Sequence, residues 1–155
     1  MKIVLRAAGL MKSGPERDLV DDYMSRAQHL GRGLGIPDIT ESAIDTRNAK
    51  SRSLETRAIL SGYESCRLVI LDERGKSLTS RQMAAQITKW RDGAENTVVF
   101  AIGGADGFEP ADIPPGAIKW SFGAQVWPHK LVRVMMAEQI YRSLSIMART
   151  PYHRD

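Results

Sequence analysis

Two short segments of this chain are apolar without interruption, Leu68-Val69-Ile70-Leu71 and Val98-Val99-Phe100-Ala101-Ile102. A strand with no polar alternation is one covered on both faces, the habit of central strands in a parallel sheet. Around them, strand-like segments alternate with helical periodicity from one end of the chain to the other. The pattern predicts strands over residues 2–7, 38–44, 67–71, 97–102 and 119–122, and helices over 15–30, 48–61, 78–91 and 130–148. The expected fold class is therefore α/β: one domain, residues 1–155, with a mainly parallel sheet flanked by helices.

Local chemistry supports these elements. Pro15 suits a first helical turn, and Ser77 or Thr79 is placed to cap the third helix ahead of Met83, Ile87 and Trp90. Gly31, Gly33 and Gly35 offer left-handed geometry where the first helix stops. Pro110, Pro114 and Pro115 stiffen one loop. In the last helix, Leu131, Val132, Val134, Met135, Met136, Ala137, Ile140, Tyr141, Leu144, Ile146 and Met147 point in nearly every direction, leaving no wide polar face. A sheet covers only one side of such a helix, so a second copy of the chain is expected to cover another, in a symmetric homodimer. The methionines at 135, 136 and 147 read as adaptable packing there.

Composition narrows the classes. At 155 residues the chain can build a real core but has no room for a separate recognition domain. Its 43% hydrophobic and 26% charged residues argue against disorder. No apolar run approaches the roughly 20 residues that span a bilayer. The N-terminal apolar stretch is too short for a secretory signal. We expect a cytoplasmic protein without a membrane partner. The single cysteine, Cys66, agrees with a reducing compartment and reads as inert packing. No metal-ligand spacing and no Ser/His/Asp arrangement is evident, so metal-free chemistry is expected. A net charge of +4 and a pI near 9.4 are mild evidence for a polyanionic partner. Arg47, Lys50, Arg52 and Arg57 gather around a single Glu55, either as a phosphate-binding face or as a solvated helix face.

Ligands of open α/β sheets sit beyond the carboxyl ends of the strands. Three such ends are Leu71-Asp72, Ile102-Gly103-Gly104 and Phe122-Gly123; as parallel neighbours they would enclose one pocket. The run Gly103-Gly104-Ala105-Asp106-Gly107 has neither dinucleotide-fingerprint nor Walker spacing, which disfavours a generic nucleotide site. His129 and His153 are candidate proton acceptors, since an ordinary imidazole is largely neutral at neutral pH. The alternatives are a helix-entry hydrogen bond for His129 and a frayed terminus for His153. Arg133 and Arg142 are candidate phosphate contacts, with an i,i+4 pair between Glu138 and Arg142 as the competing reading. Trp120 reads as core, and Trp127 flanks the pocket.

Taken in order and spacing, Ile102-Gly103-Gly104 with Gly107, Trp120-Ser121-Phe122, Pro128-His129, Leu131-Val132-Arg133-Val134, Glu138-Gln139-Ile140-Tyr141-Arg142 and Pro151-Tyr152-His153-Arg154 resemble a known family. It is that of ribosomal RNA large-subunit methyltransferase H, a small member of the trefoil-knotted SPOUT class. The resemblance covers essentially the full chain and implies an α/β knot, with a C-terminal trefoil knot within about residues 97–155. It implies that S-adenosylmethionine is held by Leu71, Gly103, Gly104, Phe122, Gly123, Ala124, Gln125, Val126 and Trp127. The implied reaction is methyl transfer to N3 of a pseudouridine in 23S rRNA on the assembled ribosome. Tyr152 and His153 would act near the target base, the tail reaching the partner's pocket in a homodimer; His129 stays a further catalytic candidate, and Arg133, Arg142 and Arg154 stay candidates for contact with RNA. A non-catalytic ribosome-associated knotted protein and a methyltransferase for another RNA base are the alternatives.

Overall fold

The computed structural model describes residues 1–154. Along β1 (Lys2–Ala8), Ile3, Leu5 and Ala7 enter one hydrophobic cluster and Val4 and Ala8 another. This is the alternation that a strand's pleat imposes on side chains buried on both faces. The chain continues through α1 (Pro15–Arg32), β2 (Asp38–Ile44), α2 (Arg52–Leu60), β3 (Arg67–Ser77), α3 (Ser80–Asp92), β4 (Thr97–Ile102), a 3-10 turn (Pro110–Asp112), β5 (Ile118–Ser121) and α4 (His129–Met147). The five strands form one sheet in the order β2-β1-β4-β3-β5, every neighbouring pair parallel.

Both apolar runs singled out in the sequence lie in the interior of this sheet, in β3 and β4. On one face, Ile3, Leu5, Val69, Val98 and Phe100 pack with Val20, Met24, Ile87, Trp90, Ile140 and Leu144 from α1, α3 and α4. On the other, Val4, Leu68, Ile70 and Val99 pack with Ile59 and Leu60 of α2 and with Phe108 from the loop after β4.

Several ends differ from expectation, each for a local reason. Helix α2 begins at Arg52 rather than 48 because Ser51 caps it, its hydroxyl accepting from Leu54 N at 3.2 Å. Thr79, not Ser77, caps α3 in a reciprocal box with Gln82. Helix α1 runs through Gly31, where a side chain would come within 2.5 Å of the Ile36 carbonyl oxygen. Gly33 ends it in right-handed geometry, and the left-handed residue is Gly35, at φ +74°. The largest difference is β3, which continues six residues past Leu71. Leu71 and Lys76 both pair with Trp120, so Asp72-Glu73-Arg74-Gly75 bulges out between them.

Helix α4 is buried chiefly by its own chain. It lies between α1 and α3 on one face of the sheet and also touches β1 and β4. Arg133, Met136, Ala137, Ile140, Ser143, Leu144 and Ser145 are buried there. The flanking helices α1 and α3 thus supply cover that the sequence pattern assigns to a second copy of the chain. What stays partly open is a groove of Leu19, Tyr23, Phe122, Val134 and Met135, edged by Glu138 and Arg142.

Candidate active site

Strands β4, β3 and β5 are adjacent, and their register sets Ile102, Leu71 and Trp120 side by side at the carboxyl edge. The bulge of β3 and the loops after β4 and β5 enclose a cavity of about 420 Å³, a volume suited to a ligand of cofactor size. Leu71, Gly103, Gly104, Phe122, Gly123, Gln125, Val126 and Trp127 all line it, as do Ile102, Trp120 and His129. Of the nine residues expected to hold a cofactor, Ala124 alone is not in the lining.

Four glycines, Gly103, Gly104, Gly107 and Gly123, are part of this lining. A side chain on Gly103 would stand 3.1 Å from the Gly107 carbonyl carbon and 3.2 Å from the Phe108 ring. One on Gly104 would meet the Glu55 carboxylate at 2.5 Å. On the opposite wall Gly123, at φ +114°, makes a turn that L side chains resist. The Ser121 hydroxyl locks that turn, donating to the Gly123 carbonyl at 2.7 Å and accepting from its N–H at 3.1 Å. Trp120 is core, stacked on Trp90 at 5.5 Å between ring centroids. Trp127 and Val126 stand exposed at the lip, 40% and 81% accessible.

The rim of mixed charge went unread in the sequence: Arg52, Asp72, Glu73, Arg74, Asp106 and Lys119 also line the cavity. Lys119 Nζ lies 3.6 Å from Asp72 Oδ2, and Asp72 Oδ1 accepts from Arg74 N at 2.9 Å. The available signal was Gly75, an isolated glycine in a strand-like stretch, which often marks close backbone approach. A side chain there would fall 2.6 Å from the Trp120 carbonyl carbon.

The three candidate catalytic residues are not brought together within one chain. His129 opens α4 and lines the cavity, and no side chain caps the helix start. Tyr152 and His153 are packed against α4 outside that lining. The Tyr152 hydroxyl donates to Glu138 Oε1 at 2.9 Å, and its ring lies 4.6 Å from that of Tyr141 and 4.7 Å from the Arg142 guanidinium. Arg142 Nη1 is 3.3 Å from His153 Nδ1. Burial, with hydrogen bonds to Tyr23 and Glu138, pushes the Tyr152 phenol well above its ordinary value. Its hydroxyl therefore stays protonated at neutral pH and serves as a donor, not a base.

The arginines divide. Arg133, expected at RNA, is corrected to a core residue: it is 1% exposed, its Nη2 donating to the carbonyls of Ala8 at 2.7 Å and Gly9 at 2.8 Å. Its Nη1 reaches Glu41 at 3.3 Å, which leaves no route for a phosphate. Arg142 makes the i,i+4 pair, Nε donating to Glu138 Oε1 at 2.8 Å. Arg154 is exposed. In the basic cluster near α2, Arg47 pairs with Asp45 and Arg57 with Asp112, while Arg52 donates to the Phe108 carbonyl.

Comparison with known proteins agrees over the whole chain. A sequence profile described as "Predicted SPOUT methyltransferase" matches residues 1–153. The chain is 54% identical to a protein of Maricaulis maris named Ribosomal RNA large subunit methyltransferase H, over 100% of both chains. Proteins of the same name from Cereibacter sphaeroides and Paracoccus denitrificans are 46% and 45% identical, each over at least 99% of both chains. A protein of Legionella pneumophila solved in complex with bound SAM aligns over 94% of this chain and 66% of its own at 13% identity and a TM-score of 0.40.

Proposed function

Because the chain belongs to the SPOUT methyltransferase family, we propose that its carboxyl-edge cavity binds S-adenosylmethionine and serves methylation of N3 of a pseudouridine in 23S rRNA on the ribosome. The observation that carries this reading is the cavity itself, set at the carboxyl edge of three adjacent strands and lined in part by Gly103, Gly104, Gly107 and Gly123. The names of the relatives and the resemblance of the C-terminal motifs support the substrate. On this reading the last third of the chain, about residues 97–155, forms the family's knot. No helix among the described residues is long and apolar enough to cross a membrane, which fits a cytoplasmic enzyme.

The residues present suit such a cofactor. Leu71, Ile102, Phe122 and Val126 give an adenine ring apolar cover, while main-chain groups at Gly103, Gly104 and residues 122–127 offer donors and acceptors to its edge. The charged rim is polar enough for an amino-acid end. When bound, S-adenosylmethionine supplies an electrophilic methyl on sulfur. The protein's share of the work is alignment, because methyl transfer is an in-line displacement.

The nucleophilic N3 must also lose a proton. His129 lines the cavity and is the acceptor that one chain supplies. Tyr152 and His153 join it in a homodimer, where the tail of one subunit, held to α4 by the Tyr152–Glu138 hydrogen bond, brings His153 to the cavity of the other. Arg142 and Arg154 lie beside that tail and would favour an incoming phosphate. The open groove of Leu19, Tyr23, Val134 and Met135 supports such pairing through α1 and α4.

Calorimetric titration with S-adenosylmethionine, joined to transfer of labelled methyl into ribosomes lacking the modification, tests this function. Binding heat and stoichiometric incorporation are expected, with both lost in Gly103→Val. A wild-type chain that gives neither would leave a non-catalytic ribosome-associated protein as the better account. Label mapping elsewhere than pseudouridine N3 would reassign the base.

A further inference from the structure

Helix α2 holds the loop after β4 through four side chains. Arg52 donates to the Phe108 carbonyl. Thr56 Oγ1 accepts from Glu109 N at 2.8 Å. Arg57 Nε donates to Asp112 Oδ1 at 2.7 Å, and the Ser53 hydroxyl bonds the same carboxyl. Residues 52 and 56, like 53 and 57, are four apart, so all four project from one side of the helix. Thr56 is the centre of this grip and is fully buried.

The loop needs an external hold. Between Ile102 and Pro110 it has no regular structure, and it carries Gly103, Gly104 and Gly107, the residue type with most freedom to lose on ordering. Its tip is closed by Gly107 N donating to the Gly104 carbonyl at 3.1 Å. Main chain that recognises a ligand must be ordered beforehand, or the ordering is deducted from affinity.

On the reading that this cavity takes S-adenosylmethionine, we propose that Thr56, with Arg52 and Arg57 beside it, is a positioning residue for the cofactor. By fixing the main chain at Phe108 and Glu109 it presets the backbone of Gly103 and Gly104.

The test compares the full chain with Thr56→Val and Thr56→Ser, reading calorimetric Kd for S-adenosylmethionine and amide exchange at Gly107 without ligand. Thr56→Val should raise Kd about tenfold and speed Gly107 exchange by a similar factor, since it strands the Glu109 N–H. KM for the cofactor should rise while kcat holds, and Thr56→Ser should restore all three. A folded Thr56→Val with wild-type Kd and exchange overturns the proposal, as does a Thr56→Ser that behaves like Val. Should Thr56→Val not fold, Arg57→Gln, altering a side chain 68% exposed, serves instead. A change of about threefold in the same directions is expected from it, and no change overturns the proposal. If the wild-type chain binds no S-adenosylmethionine the cofactor reading fails by itself, and Gly107 exchange still decides whether α2 orders the loop.

Discussion

The Tyr152 hydroxyl donates to Glu138 Oε1 at 2.9 Å, tying the last residues of the chain to the middle of α4. Chain ends fray unless something fastens them, and here the fastening includes a tilted ring contact with Tyr141 and a cation–π contact with the Arg142 guanidinium. Tyr152→Phe keeps the ring and removes the hydrogen bond. We expect amide exchange over residues 150–154 to quicken about fivefold to tenfold, with unchanged melting of the rest. Exchange at the wild-type rate would mean that ring packing alone holds the tail.

Arg133 joins α4 to the end of β1 by two hydrogen bonds to carbonyls and one to Glu41. Arg133→Met would fill much of the space but strand those acceptors in a dry interior. A loss of about 3 kcal/mol in urea unfolding is expected. Arg133→Lys should recover less than half of that, because a single ammonium cannot reproduce the planar fork. A stability within error of wild type would show that water replaces the guanidinium.

Gly75 and Gly104 both lack room for a side chain, yet the obstacles differ. At Gly75 the obstacle is the β5 backbone at Trp120, which cannot move without shifting the sheet. At Gly104 it is the tip of the Glu55 side chain, which can swing aside. Gly75→Ala should therefore cost about 2–3 kcal/mol and Gly104→Ala less than about 1 kcal/mol. Equal midpoints in denaturant for the two variants would contradict this contrast.

The Asp112 carboxyl is held below its ordinary range by the Ser53 hydroxyl and the Arg57 guanidinium. A carboxyl depressed in the folded state stabilises fully above its unfolded value, near pH 4, and progressively less as pH falls through the folded one. Asp112→Asn should thus lower Tm at pH 6, with the gap to wild type closing below about pH 4. A gap that widens on acidification would reverse the assigned sign.

Much of the fold was legible along the chain. β2 and β4 fall where periodicity placed them, and the other strands and all four helices were found within a few residues, except for the long extension of β3. Such features are local: a strand buried on both faces shows it in every residue of Val98 to Ile102, and a helix start shows it in Thr79 with Gln82. The glycines at 103 and 104 were legible as close-packed turns for the same reason, since close backbone approach demands small residues at particular positions.

What the chain alone determined, then, were the elements and the residues whose constraint lies within a few neighbours. Tertiary structure decided whatever depends on partners far away in sequence. Arg133 looked like a surface cation on a helix, and became a core residue because Ala8 and Gly9, over 120 positions earlier, present carbonyls to it. The polar run Asp72-Glu73-Arg74-Gly75 looked like a loop, and became a bulged strand because β5 pairs on both sides of it. Thr56 carried no signal, since its role rests on an amide at Glu109 that folding sets beside it. Periodicity records which face of an element is dry; it does not record which distant atoms fill that face.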